Sequence, residues 1–168
     1  TLLLKKEYSE KYEISIDASK LSELKNLSRL VDDILNKHPN NHQPYVGENA
    51  FAHLVKQCEF GPRNPGSIGH KNTLAYYLDF LNPLADTVFT QPYVETMPRT
   101  GKKVNMNNVI ARFNTKASKQ IMISAHWDTR PWGDRGSGIM EKNQPIMGAN
   151  DGASGVAVIL ELAKIMKD

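Results

Sequence analysis

The sequence predicts an α/β protein. In the first half of the chain apolar residues recur at helical spacing, and between Thr87 and Ala125 the period shortens to two. A glycine-rich turn then feeds an apolar helix beginning near Gly152. Short connections between the predicted strands give the sheet an antiparallel start.

Residues 1–16 are weakly patterned, with Glu13–Asp17 readable as a short strand. Asp17 suits the cap of a helix whose stripe is Leu21, Leu24, Leu27, Val31, Ile34 and Leu35. With the Asn-rich linker from Pro39 to Pro44, residues 1–44 read as an N-terminal arm and 45–168 as the main domain. A second helix runs from about Gly47 to Glu59, with Phe51, Leu54, Val55 and Cys58 on one face. Phe60 to Ser67 is too rich in Pro and Gly for regular structure. Ser67 caps a third helix with Leu74, Tyr77, Leu78 and Leu81 inward, and Asn82-Pro83 stops it.

Thr87 to Val94 alternates as a strand, although Pro92 confines part of it to an edge or bulge. Met97 to Lys103 is a polar turn, and Val104 to Phe113 a second strand with Val109, Ala111 and Phe113 on one face. Lys119 to Ala125 is the most apolar run and reads as a third, buried strand. Arg130 to Gly148 is a loop long enough to be functional or disordered. The last helix, Gly152 to about Lys167, is apolar almost all round through Leu160.

A chain of 168 residues suffices for one domain with a core. A net charge of +3, from 21 basic and 18 acidic residues, with no basic stripe, argues against nucleic acid. Cys58 is the only cysteine, so an intrachain disulfide is impossible. No apolar run reaches the about 18 residues of a membrane span. The start at Thr1 reads as a processed or trimmed N-terminus. The pattern carries no signature of an oligomeric state.

The chemistry gathers between Ile121 and Gly155. His126 and Asp128 follow the predicted strand at its two-residue repeat, so both side chains can leave on one side. Asp151 stands where a loop becomes a helix, between Gly148 and Gly155. An imidazole and carboxylates converging beyond a strand end suit a first-row dication, and the stretch reads as half of a zinc site. Each residue has a plainer reading. His126 could be structural, Asp128 a turn residue, and Asp151 an ordinary helix cap. Asp128 near His126 would fix its tautomer, while Asn150 would orient Asp151 or face a substrate. Trp127 and Trp132 either wall a pocket or pack. Arg130 and Arg135 either bind a carboxylate or stay solvated. His38, His42, His53 and His70 lack metal spacing, and Glu161 sits on a poor face for a ligand.

Ala125-His-Trp-Asp-Thr129 followed by Gly148-Ala-Asn-Asp-Gly-Ala-Ser-Gly155 resembles the zinc aminopeptidase and glutaminyl cyclase family, the twenty-eighth family of metallopeptidases. Val55 to Ser67, with His70 just after, resembles the N-terminal helix and loop of the cyclase branch. The resemblance covers about Gly47 to Lys167. It implies a three-layer αβα fold with a mixed sheet, here ending after the helix that follows the first metal-site aspartate. It also implies that residues 45–168 are the N-terminal part of a zinc-exopeptidase-like domain. In the two-zinc aminopeptidases the position of His126 binds one zinc, that of Asp151 bridges both, and that of Asp128 holds the histidine. In the cyclases, where a single zinc is usual, the position of Asp151 remains a ligand, while that of His126 need not be one. A lone Cys58 departs from the cysteine pair of animal cyclases and points to a bacterial-type branch, periplasmic or secreted, with or without a membrane anchor before processing.

The expectation is a full-length zinc-dependent glutaminyl cyclase acting on peptide N-termini. Its catalytic glutamate and last histidine ligand are expected beyond this chain, which would then be inactive alone. The close alternative is a zinc aminopeptidase, and the other a non-catalytic module that binds a peptide or a partner.

Overall fold

Residues 44–133 and 141–167 are described by the structure, a computed structural model. The helix expected between Asp17 and Leu35, most of the linker after it, and Arg135 with its neighbouring loop residues lie outside the described residues.

Helix α1 spans Gly47–Glu59, the predicted bounds. Its fully buried residues are Ala50 and Gln57, whereas Phe51, Leu54, Val55 and Cys58 are only half-buried. The expected stripe is displaced because the Gln57 amide is bonded on every side. Its Nε2 donates to Ala153 O at 3.0 Å and to His53 O at 3.1 Å, and its Oε1 accepts the Tyr77 hydroxyl at 2.5 Å. A buried amide so satisfied ties α1 to two other segments.

Helix α2 spans Ile68–Leu81. Ser67 caps it as expected, accepting the His70 N–H at 3.0 Å, while its hydroxyl donates to Pro62 O at 2.9 Å. The inward stripe is His70, Thr73, Tyr77 and Leu81, with Leu74 and Leu78 half-buried beside it.

Strands β1 (Thr87–Thr96) and β2 (Lys103–Arg112) form an antiparallel hairpin. The register is unbroken from Thr87↔Arg112 to Thr96↔Lys103, so Pro92 makes no bulge. It faces Asn107 on a strand with one neighbour among the described residues, where a missing N–H is tolerated. Gly101, at φ 66°, closes the turn.

The predicted third strand is overturned. Among the described residues Lys119 to Ala125 has no ladder partner, and Ile121 and Met122 are 84% and 88% exposed. Sequence hydrophobicity records what a strand could bury, but a strand exists only through neighbours that take up its N–H and C=O groups. Among the described residues the sheet contains β1 and β2 alone.

Helix α3 spans Ser154–Met166, starting two residues later than predicted. Its Val156, Leu160 and Ala163 form the core with Tyr77 and Leu81 of α2. Val88, Val109, Ala111 and Phe113 of the hairpin segment pack on that cluster, the last three being the face expected of the second strand. Glu161 is buried in the same helix because Asn49 of α1 donates to its Oε1 at 3.0 Å and Lys164 Nζ stands 3.6 Å from Oε2. It is a helix-joining carboxylate.

Gln57→Leu is expected to strand the Ala153 carbonyl and the Tyr77 hydroxyl, lowering stability in urea denaturation by about 1–3 kcal/mol. Stability should also fall with acid. His70 is buried with no hydrogen-bond partner for Nε2 among the described residues, and burial lowers its pKa, with Asp128 opposing. The unfolded chain then takes up the proton first. Stability is complete above about pH 6.5 and declines as pH drops toward the folded-state pKa. Denaturation of His70→Phe over that range should show a shallower slope.

Candidate metal centre

The two residues at the heart of the predicted site are brought together. His126 Nε2 lies 3.0 Å from Asp151 Oδ1, and both side chains are more than half exposed. On the other side of the ring, Nδ1 donates to the Asp128 carbonyl at 3.2 Å, with the Asp128 carboxylate at 3.5 Å. Both groups within reach of Nδ1 are acceptors, so that nitrogen carries the proton. Nε2 likewise faces an acceptor, Asp151 Oδ1, so this contact is made either by a proton on Nε2 donated to the carboxylate or by a cation between the two atoms.

His126 reaches this position from irregular extended chain instead of a strand end. Asp151 arrives on a wide turn, Ala149–Ala153, whose dihedrals leave the helical range at Asp151 (φ −92°, ψ 86°) and Gly152 (φ 108°, ψ −32°). The helix-cap reading of Asp151 is therefore set aside, since α3 begins only at Ser154 and has Ala153 at its cap position. Gly152 is required twice over. A Cβ there would stand 2.5 Å from His126 O and 2.9 Å from ring Cε1, and its positive φ disfavours any other residue. The ring of His126 occupies the space a side chain would fill.

Arg63 is fully buried, although its surroundings in sequence, Pro62 and Asn64-Pro65, read only as loop. Its Nε donates to Trp127 O at 3.1 Å, Nη1 to Gln57 O at 3.4 Å and Nη2 to Gly148 O at 2.7 Å. Its own carbonyl accepts the Thr129 N–H at 3.3 Å. Burial lowers its pKa from the ordinary arginine value, while Tyr77, Cys58 and Asp128 act in the opposite sense. The available signal was an arginine inside an otherwise tight Pro/Gly turn.

The remaining candidates divide. Trp127 is a packing residue: its ring stacks on His70 at 4.3 Å and meets Tyr77 edge-on at 5.6 Å, and its N–H donates to Asn107 O at 3.0 Å. Trp132 lies under the Arg99 guanidinium at 5.2 Å. Arg130 Nη2 stands 4.0 Å from Asp151 Oδ2, on the opposite oxygen from His126. Asn150 closes the turn, its carbonyl and side-chain oxygens accepting the Ser154 hydroxyl at 2.7 and 3.3 Å. His53 bonds Tyr76, away from the pair.

Two ligands about 2.0–2.1 Å from one tetrahedral ion stand roughly 3.3 Å apart. The 3.0 Å between Nε2 and Oδ1 is close to that separation, and the outward Nδ1–H bond is the usual support of a metal-bound imidazole. Among the described residues no group of three or more His, Cys, Asp or Glu side chains is arranged to hold a metal. The pair therefore fits two positions of a zinc site without completing it. Gly152→Ala is expected to push the His126 ring aside and cost about 1–3 kcal/mol through the forced dihedral. Chemical denaturation measures the cost, and the histidine ring signals in NMR report the displacement.

Residues 108–168 match the sequence profile of Peptidase family M28. The chain superposes on the glutaminyl cyclase of Tannerella forsythia with a TM-score of 0.71 and 31% identity, over 74% of this chain and 43% of that one. It superposes on a Zn-dependent exopeptidase of Parabacteroides distasonis with a TM-score of 0.71 and 31% identity, over 76% of this chain and 43% of that one. It thus spans less than half the length of either structure, which fits an N-terminal portion. The (R)-citramalate synthase of Synechocystis is 47% identical over 38 residues, 23% of this chain and 7% of that protein, too short a match to carry an argument. The helices and hairpin described above share the α/β fold of the two matched structures. With the family profile matched over the stretch holding His126, Asp128 and Asp151, and the fold shared around it, the chain belongs to peptidase family M28.

Proposed function

We propose that the full-length protein is a zinc-dependent glutaminyl-peptide cyclotransferase, forming pyroglutamate at peptide N-termini. The supporting observation is the 3.0 Å approach of His126 Nε2 to Asp151 Oδ1, an exposed pair whose spacing suits two ligands of one cation as well as a hydrogen bond. The cyclase reading over a peptidase rests on the stretch from Val55 to Ser67, which resembles the cyclase branch.

In this reading His126 and Asp151 hold the zinc, and Asp128 keeps the imidazole in the tautomer that presents Nε2. When bound, the metal supplies Lewis acidity toward the side-chain carbonyl of an N-terminal glutamine. Ring closure forms a bond from the α-amine nitrogen to that carbonyl carbon and breaks the carbon–nitrogen bond of the amide. The proton lost by the amine leaves with ammonia. Arg130, 4.0 Å from the far oxygen of Asp151, helps to orient that carboxylate. No residue of this chain is assigned to the proton transfer.

An aminopeptidase is the second reading, favoured by the equal match to the exopeptidase of Parabacteroides distasonis. Full-length protein given Gln-initiated and Leu-initiated peptides separates them. Ammonia without chain shortening is the expected result, a released amino acid supports the peptidase, and neither leaves a binding module. Asp151→Asn and His126→Ala should each weaken zinc retention beyond the about 10–100-fold typical of an outer hydrogen-bond partner, read by chelator competition and metal analysis.

A further inference from the structure

We propose that Arg63 is a positioning residue that sets the separation of His126 and Asp151, and through it the affinity for the metal. The inference rests on the metal reading above. Arg63 is fully buried, and its donors run to the carbonyls of three separate segments. Trp127 O directly follows His126, Gly148 O opens the turn that delivers Asp151, and Gln57 O belongs to α1. Its backbone carbonyl takes the Thr129 N–H, so the strip holding His126 and Asp128 is bonded on both sides of Asp128.

The rigid fork makes this more than packing. A guanidinium offers five N–H donors in one plane, so the directions to Trp127 O and Gly148 O are fixed relative to each other. Each carbonyl is a short backbone step from a candidate ligand, and no side chain intervenes at Gly148, where a Cβ would stand 3.2 Å from Nη2. A lysine keeps the charge but directs its donors from a single atom on a flexible stem, so it cannot reproduce the two fixed directions. The carbonyls can then drift apart, and the 3.0 Å approach of Nε2 to Oδ1 with them.

The test uses full-length protein with Arg63→Lys, Arg63→Met and Leu160→Ala. The last removes a core side chain that offers Arg63 no hydrogen bond, from the cluster on which the Trp127 ring packs. Both Arg63 variants should weaken zinc or cobalt affinity about 10–100-fold in chelator competition. In the metal-free protein they should speed hydrogen exchange at the amides of Thr129 and Ala153, which bond Arg63 O and Gly148 O. Leu160→Ala, destabilised as much or more in thermal melting, should keep the native affinity and the native exchange at those amides. Arg63→Lys decides the matter where Arg63→Met fails to fold. Native affinity and native exchange in Arg63→Lys would overturn the proposal, as would an equal loss of affinity in Leu160→Ala. If the native protein takes up no metal, the functional reading fails, and exchange in the metal-free variants still decides whether Arg63 fixes the two segments.

Discussion

A guanidinium buried among backbone carbonyls is the constraint on which the site depends. Arg63 meets Trp127, Gly148 and Gln57 through oxygens alone. A charge removed from water must have its donors taken up, and carbonyl dipoles do this without an ion pair. The geometry is thereby over-determined, since these carbonyls cannot shift without leaving a buried donor bare. Gln57 extends the arrangement by joining α1 to Ala153 and Tyr77, so that the irregular segments are tied to the helices.

On this support the chain presents an imidazole and a carboxylate in close approach, both open to solvent. Such a contact is completed by a proton on Nε2 or by a cation between the two atoms. The backbone conformation around it is equally specific. Gly152 removes the Cβ that would strike His126, and Gly148 accepts φ 61° at the entry of the turn. Local strain and close approach concentrated around one pair of side chains are common at sites that bind or react.

Much of this was readable in the residues. The caps and stops of α2, the hairpin turn around Gly101 and the apolar face with Val109 and Ala111 follow from local chemistry that acts over a few positions. The same holds for the ligand candidates, because His126, Asp128 and Asp151 sit in a pattern of glycines and carboxylates with few structural uses. Errors arose where burial had to be inferred. The run from Lys119 to Ala125 has the composition of a buried strand and stands exposed, and the inward face of α1 is led by an amide.

The sequence by itself determined the helices, the hairpin and the identity of the candidate ligands, because periodicity, caps and turn residues act within a few positions of one another. Only the tertiary structure decided that His126 and Asp151 stand 3.0 Å apart, that Trp127 packs against His70, and that Arg63 joins the segments around them. Those outcomes rest on hydrogen bonds between residues far apart in sequence. A backbone carbonyl can be bonded by any donor the fold brings to it, so the sequence carries no mark of which one does.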